Sequence, residues 1–201
     1  MSKTIENLGN GVGDQNYGTP WYFYEYFNEI FGFTRDCCAD EINHKHEKYW
    51  TKKDNALAQS WKDEIIWCNP PFGQIAPFAE KALEELQKHG TTTVMITPNY
   101  SGTFYFRDYL NKAQIWFITG RIRFQLPGSY ELAGENPNYM VIIIFSPEFC
   151  RMGDMSGDVK LLDLQKIKDH NQGELFKKEV IAEPVKKVNK TEAALKRLTS
   201  E

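Results

Sequence analysis

The chain has 201 residues, of which 41% are hydrophobic and 25% are charged, a balance that is typical of one globular domain and excludes a disordered chain. Its formal net charge of -3 means that the protein as a whole does not attract a polyanion, so a nucleic-acid partner would need a local basic patch. The cysteines have no regular spacing, and no signal peptide or membrane-length apolar segment is recognisable, which predicts a reduced cytoplasmic protein without a membrane partner.

The N-terminal part of the chain predicts an arm, a helix and a short strand. Residues 1–18 are rich in Gly and Asn and lack periodicity, which is typical of a flexible arm or lid. The pair Thr19-Pro20 predicts the start of a helix with the threonine as N-cap, and apolar residues at helical spacing continue to Gly32, which ends it. A short strand then follows at 33–37, with Asp36 as its last residue.

The central part of the chain predicts alternating strands and helices. An apolar strand at 64–68 runs into the loop Asn69-Pro70-Pro71-Phe72 and a helix at about 76–89, which Gly90 ends. Further along, we expect a strand at 91–97, a helix near 103–111, a strand at 115–118, a strand-like segment at 120–124 and a fully buried strand at 139–145. Strands separated by helices predict an α/β fold with a mainly parallel twisted sheet flanked by helices.

The composition changes after about residue 150, where lysines cluster and apolar runs shorten. This change predicts a domain at 19–150 and a lysine-rich C-terminal extension at 151–201. A basic tail that contacts phosphate is one interpretation of the extension, and a solvated tail is the more common outcome.

The loop Asn69-Pro70-Pro71-Phe72 follows an apolar strand, at the end of a parallel sheet where α/β proteins bind their ligands. The side-chain oxygen of Asn69 and the carbonyl of Pro70 can accept both hydrogens of an amino group. Acceptors placed outside the plane of a conjugated amine favour its tetrahedral transition state, and Phe72 offers a face for stacking a base. A plain turn is the alternative, since Asn before Pro commonly opens one.

The chain resembles the phage-type DNA N6-adenine methyltransferases (Dam-like), a branch of the class I amino-methyltransferases. The resemblance covers about residues 17–145 and rests on the order of five pieces: Gly18-Thr19-Pro20-Trp21, the stretch 31–39, the stretch 67–73, the stretch 120–124, and the apolar strand near Val141. It implies a Rossmann-like fold, S-adenosylmethionine as cofactor, DNA as substrate, and a phage or prophage origin in a bacterial host.

The resemblance also implies site residues. Thr19 and Pro20 match positions near the methionine end of the cofactor, Asp36 matches an acidic partner of its ammonium group, and Asp54 lies about where a carboxylate accepts from its adenine amino group. The loop under the cofactor would be Cys37, Cys38 and Ala39, and Asn69, Pro70, Pro71 and Phe72 would form the catalytic loop, with Asn69 also next to the cofactor. Asp36 as a strand-end cap and Asp54 as a surface turn residue are the alternatives.

Further candidate residues would contact the DNA or the flipped base. Arg121 and Arg123 alternate on the strand-like segment, so both face one side, where they would meet DNA phosphate or solvent. Tyr100, with Phe104 and Tyr105, follows a strand end and would line a base pocket or a hydrophobic helix face. A zinc site built from Cys37, Cys38, His44 and His46 is conceivable, but adjacent cysteines rarely reach one ion and C-x-x-C pairs are missing, so we expect no metal.

The leading hypothesis is direct in-line methylation of adenine N6 in DNA, with the base extruded into a pocket beside Asn69 and Phe72. Cytosine N4, an RNA guanine and a protein glutamine amide present a similar amino group and stay open as substrates. A catalytically inactive scaffold that binds nucleic acid also stays open, because the stretch 36–40 lacks the glycine-rich loop usual in the wider superfamily.

Overall fold

The sequence folds into a mixed six-stranded sheet with helices on both faces. The computed structural model describes residues 17–102, 112–148 and 159–170. Within these ranges the strands are β1 (Arg35–Asp36), β2 (Ile65–Cys68), β3 (Thr92–Pro98), β4 (Gln114–Thr119), β5 (Met140–Phe145) and β6 (Val159–Asp163). The helices are α1 (Trp21–Phe31), α2 (Ile75–His89) and α3 (Leu164–His170).

The strand order is β1-β2-β3-β5-β4-β6. Pairing is parallel for β1 with β2, β2 with β3, and β4 with β6, whereas β5 runs antiparallel to both of its neighbours. The predicted α/β class is confirmed, but the sheet is mixed. The reversal of β5 could not be foreseen, because its six residues are all buried and a continuous apolar run carries no information on direction.

Side chains alternate across the sheet and form two hydrophobic clusters. On one face α1 and α3 pack with Trp67, Ile142 and Ile144. On the other face α2 packs with Cys68, Val141 and Ile143. This two-sided burial explains why β5 is apolar at every position.

Glycine ends both long helices as predicted. Gly32 and Gly90 adopt left-handed conformations with φ of 66° and 69°, which an L side chain disfavours. The predicted cap of α1 is wrong by one residue. Pro20 holds the cap position, because its carbonyl accepts the amides of Phe23 and Tyr24, and no side chain caps the helix.

The segment 120–124 keeps the predicted alternation without joining the sheet. Ile122 and Phe124 are buried, while Arg121 and Arg123 are exposed. Gly120, with φ of 89°, turns the chain away from the end of β4, and pairing resumes only in isolated bridges from Gln125 to Gly18 and to Leu132. The expectation that the two arginines share one side therefore holds, but they do not lie on a sheet strand.

Three predicted regions reach beyond the described residues. The helix expected near 103–111 lies outside them, as do residues 1–16 of the expected arm and most of the extension. Residues 159–170 are described, and they add β6 and α3 to the same sheet and core. No helix among the described residues is long and apolar enough to cross a membrane.

Candidate active site

The candidate site lies where the parallel strands β1 and β2 end. Asp36 is in register with Trp67, and the amide of Cys37 donates to the Trp67 carbonyl at 3.0 Å, so the two loops leave the sheet side by side. These loops and the segment before α1 enclose a cavity of about 910 Å³. The cavity is of the size that binds a cofactor or a drug-sized ligand.

Six of the residues expected to bind a cofactor line this cavity: Thr19, Asp36, Cys37, Cys38, Ala39 and Asn69. Pro20 does not line it, and its carbonyl is engaged in the first turn of α1. Asp54 does not line it either, although Lys53 and Asn55 on either side of it do.

Asp36 is a buried carboxylate held by the loop that follows β1. One oxygen accepts the amide of Cys38 at 3.2 Å and the other accepts the amide of Lys45 at 3.0 Å. Burial raises the pKa of Asp36 to about 7, and the thiol of Cys37 adds to this, against the two amide hydrogen bonds that lower it. These hydrogen bonds match the strand-end cap that the sequence left open, and the carboxylate also lies at the cavity wall.

Lys45 is a cavity residue that the sequence did not reveal. Its side chain is buried, its ammonium donates to Oε1 of Gln125 at 2.6 Å, and it lies 4.6 Å from the centre of the Trp21 ring. Burial lowers its pKa to about 8, although Asp36 and Asp40 act in the opposite direction. In the sequence it is one lysine among many charged residues, and no spacing singles it out.

The lining also has an apolar part that includes Trp50, Ala56, Leu57 and Phe78. The Trp50 ring contacts the guanidinium of Arg35, which lies 4.4 Å from its centre, and stacks with the ring of Trp61 at a centre-to-centre distance of 6.4 Å. The cavity lining therefore combines charged residues, Asp36 and Lys45, with aromatic and aliphatic ones.

Asn69 lines the cavity at the end of β2. Its amide nitrogen donates to the carbonyl of Tyr17 at 3.4 Å, and within the described residues its side-chain oxygen accepts no hydrogen bond. Pro71 also lines the cavity, whereas Pro70 is buried and Phe72 packs half-buried against the α2 side of the core. An amide fixed through its nitrogen presents its oxygen as an acceptor for a ligand.

Asp54 lies in an exposed turn. One carboxylate oxygen accepts both the amide and the hydroxyl of Thr51, each at 2.7 Å, and the hydroxyl bond lowers the pKa of Asp54. This arrangement is the surface turn that the sequence left open as the alternative.

The thiols near the cavity form a group that differs from the set considered for zinc. Sγ of Cys38 lies 3.7 Å from that of Cys37 and 3.8 Å from that of Cys68. His44 stacks on Tyr49 at 4.4 Å and is not part of this group. Burial raises the pKa of the Cys37 and Cys38 thiols well above the ordinary value.

The residues expected to contact DNA lie outside the cavity. Arg121 donates to the carbonyls of Asn136 and Pro137 at 3.2 and 3.1 Å, and Arg123 donates to that of Ala133 at 2.8 Å. Through these hydrogen bonds, both arginines stabilise the same exposed loop. Tyr100 packs partly buried against the core just after β3, and Phe104 and Tyr105 lie outside the described residues.

Comparison with known proteins identifies the family to which this chain belongs. The family model described as DNA N-6-adenine-methyltransferase (Dam) matches residues 6–170. The chain is 30% identical over 137 residues to the DNA N-6-adenine-methyltransferase of Haemophilus phage HP1, covering 66% of this chain and 79% of that protein. It is 24% identical over 115 residues to the protein of the same name from Escherichia phage T1, covering 56% of this chain and 48% of that protein.

Proposed function

Because the chain belongs to the DNA N-6-adenine-methyltransferase (Dam) family, we propose that its cavity binds S-adenosylmethionine beside a loop, Asn69 to Phe72, that orients the adenine amino group. The activity is methylation of adenine N6 in DNA, as the resemblance implied. Of the substrates that the loop alone left open, adenine in DNA is the one that the family supports. A bacterial cytoplasm is the compartment that we propose for it, in line with the phage origin of these relatives.

The fold supports this proposal. Five strands point in one direction and β5 is the exception, and the cavity lies at the carboxyl ends of β1 and β2. Ligands of open α/β sheets bind at this edge. We take the arrangement as a variant of the Rossmann-like class I methyltransferase fold in which the parallel strands carry the site.

The cavity residues fit an amino-acid group joined to a nucleoside. Asp36 and Lys45 both line the cavity, and the Asp36 carboxylate accepts the Lys45 backbone amide, so an α-ammonium and an α-carboxylate would find opposite charges there. The apolar lining residues, among them Trp50 and Leu57, offer surface for an adenine ring. When bound there, S-adenosylmethionine supplies a methyl group on a positively charged sulfur.

Asn69 would act on the amine that receives the methyl group. Its free side-chain oxygen, together with the Pro70 carbonyl, would accept the two amino hydrogens and draw the nitrogen lone pair out of conjugation with the ring. Transfer would form the N–C bond as the S–C bond breaks and the sulfur leaves as a neutral thioether, and the methylated nitrogen would release one proton to water. The hydrogen bond from Asn69 to Tyr17 is the observation that carries this role, because it fixes which end of the amide faces a ligand.

The target adenine has to leave the double helix to reach this loop. We propose that Tyr100 and Phe72 flank the extruded base and that Arg121 and Arg123 contact the DNA backbone. Both arginines are exposed and lie on one side of the segment that leads to Gln125, the hydrogen-bond partner of Lys45.

The test combines donor binding with product analysis. Calorimetry with S-adenosylmethionine on the wild type and on Asp36→Ala measures the donor site, and we expect micromolar binding that the substitution weakens. Digestion of methylated DNA to nucleosides, followed by mass spectrometry, identifies the product. N4-methylcytosine without N6-methyladenine, or no donor binding even with DNA present, would contradict the proposal.

A further inference from the structure

Three cysteine sulfurs lie together where the loops after β1 and β2 meet. All three Sγ atoms are within 4.8 Å of one another, and the two shortest separations are 3.7 Å and 3.8 Å. Cys37 and Cys38 follow β1, whereas Cys68 is the last residue of β2, so parallel pairing of two strands assembles the group from distant parts of the sequence. This thiol group is not required for the proposed methyl transfer.

We propose that Cys37, Cys38 and Cys68 form a binding site for one thiophilic metal ion, with Zn²⁺ as the ion that fits. A Zn–S bond is about 2.3 Å long, so two sulfurs on a tetrahedral zinc lie about 3.8 Å apart. Two of the three pairs already have this spacing, and the third is within 4.8 Å. Three soft sulfur ligands select zinc or copper(I) over the hard ions magnesium and calcium.

The group is accessible from the cavity. Cys37 and Cys68 are buried, but Cys38 is partly exposed, and both Cys37 and Cys38 line the cavity wall. An ion can therefore arrive through the cavity, with water or another exogenous ligand in its fourth position, as in zinc sites that have three protein ligands.

Occupancy would have a consequence for the reaction, and this consequence rests on the proposed function. The three thiols lose their protons when the ion binds, so the ion's charge is offset, but the ion and its exogenous ligand at Cys37 and Cys38 would take up space in the wall of the cavity proposed for the methyl donor. Metal and donor would then weaken each other's binding to the same extent. Zinc would act as a reversible inhibitor, and a chelator would restore activity.

The first experiment measures the metal alone on the full chain. The reduced, metal-free protein is titrated with Zn²⁺ against a chromophoric chelator, and with Cd²⁺ while thiolate-to-metal charge-transfer absorption is recorded. We expect one ion per chain, with affinity lowered more than about tenfold in Cys38→Ser and in Cys68→Ser. Cys150→Ser is the matched control and should bind as the wild type does. Absence of stoichiometric binding, binding that survives both substitutions, or binding that is lost in Cys150→Ser would overturn the site.

A second measurement needs no variant, so it remains decisive if a substitution prevents folding. Native wild-type protein is treated with iodoacetamide with and without Zn²⁺, and the alkylated cysteines are identified by mass spectrometry. Zinc should protect Cys38 and leave Cys150 unchanged, and equal alkylation of Cys38 in both samples would contradict the proposal. Donor affinity is measured separately with and without zinc, so a failure of the methyl-donor proposal leaves the metal stoichiometry interpretable.

Discussion

The Lys45 ammonium donates a 2.6 Å hydrogen bond to the side-chain oxygen of Gln125, which lies 80 residues further along the chain. Gln125 in turn exchanges two backbone hydrogen bonds with Gly18, at 3.1 and 2.7 Å. These contacts join the loop after β1, the segment before α1 and the segment after Gly120. Lys45 is thereby held in the lining of the cavity.

Lys45→Met should weaken S-adenosylmethionine binding by about tenfold, which corresponds to ~1.4 kcal/mol, because the donor carboxylate loses its cationic partner. Calorimetry measures the dissociation constant. Lys88→Met is the control, since Lys88 is an exposed residue of α2 that pairs with Glu84. Equal affinities in wild type and Lys45→Met would contradict the role.

The pH dependence of donor binding should follow the same lysine. Burial lowers the pKa of Lys45 to about 8, so the charged form that attracts a carboxylate is present below this pH and is lost above it. Affinity should therefore fall as the pH rises through about 8, and the fall should be smaller in Lys45→Met, in which the donor's own α-ammonium still loses its proton in this range. This range lies above the pKa of Asp36, about 7, which also faces the site. A wild-type affinity that stays constant up to pH 10 would count against the assignment.

Asn69→Ala should reduce the methylation rate by about 100-fold or more while changing donor affinity little, because the lost oxygen acts on the amine in the transition state. Single-turnover methylation of DNA measures the rate, and calorimetry measures the affinity. Asn69→Asp keeps an oxygen acceptor and should retain more activity than the alanine variant. Full activity of Asn69→Ala would show that the loop has another purpose.

Arg121→Gln should lower DNA affinity and reduce the slope of log K against log salt by about one, the value expected for one lost phosphate contact. Arg121 also donates to the carbonyls of Asn136 and Pro137, so loss of loop order is the competing explanation. Arg121→Lys distinguishes a lost phosphate contact from a loss of loop order, because it keeps the charge and disturbs the paired hydrogen bonds. A salt slope in Arg121→Lys as low as that in Arg121→Gln would assign the effect to the loop.

Parts of the fold and site could be predicted because local signals determined them. Gly32 and Gly90 end helices by backbone conformation alone. Asp36 ends one strand and Asn69 follows another, and parallel strands bring their ends to one edge. Lys45 could not be predicted, because its burial depends on Trp21 and Gln125.

The change of composition after residue 150 explains why the sequence did not predict that β6 and α3 join the sheet and the core. Lys160 and Leu161 are exposed on β6, an edge strand, so the segment has the surface character that predicted an extension. In this segment, an apolar side chain reaches the core only once every few residues. Similarly, Cys68 joins Cys37 and Cys38 through strand pairing, which no spacing in the sequence expresses.

Gly120→Ala should lower the free energy of unfolding by about 1–3 kcal/mol, because φ of 89° is strained for any residue with a Cβ atom. Urea unfolding of the two proteins measures the difference. Gly102→Ala is the matched control: Gly102 is exposed, an added Cβ meets nothing within 4 Å, and its φ lies outside the left-handed region. The control should change stability by less than about 0.5 kcal/mol. Equal stability of Gly120→Ala and wild type would contradict the strained turn at the end of β4.

Ile167→Ala should test whether α3 belongs to the catalytic domain. Ile167 is fully buried in the cluster that also contains Phe27 and Trp116, so its truncation should cost about 2–5 kcal/mol of unfolding free energy. Leu161 on β6 is 76% exposed, and Leu161→Ala should change stability by less than about 0.5 kcal/mol. If β6 and α3 formed a separate extension, both substitutions would leave the main unfolding transition unchanged. A single cooperative transition that shifts only in Ile167→Ala would instead mean that the domain extends to at least residue 167 and that its core is completed by a segment whose composition resembles a surface tail.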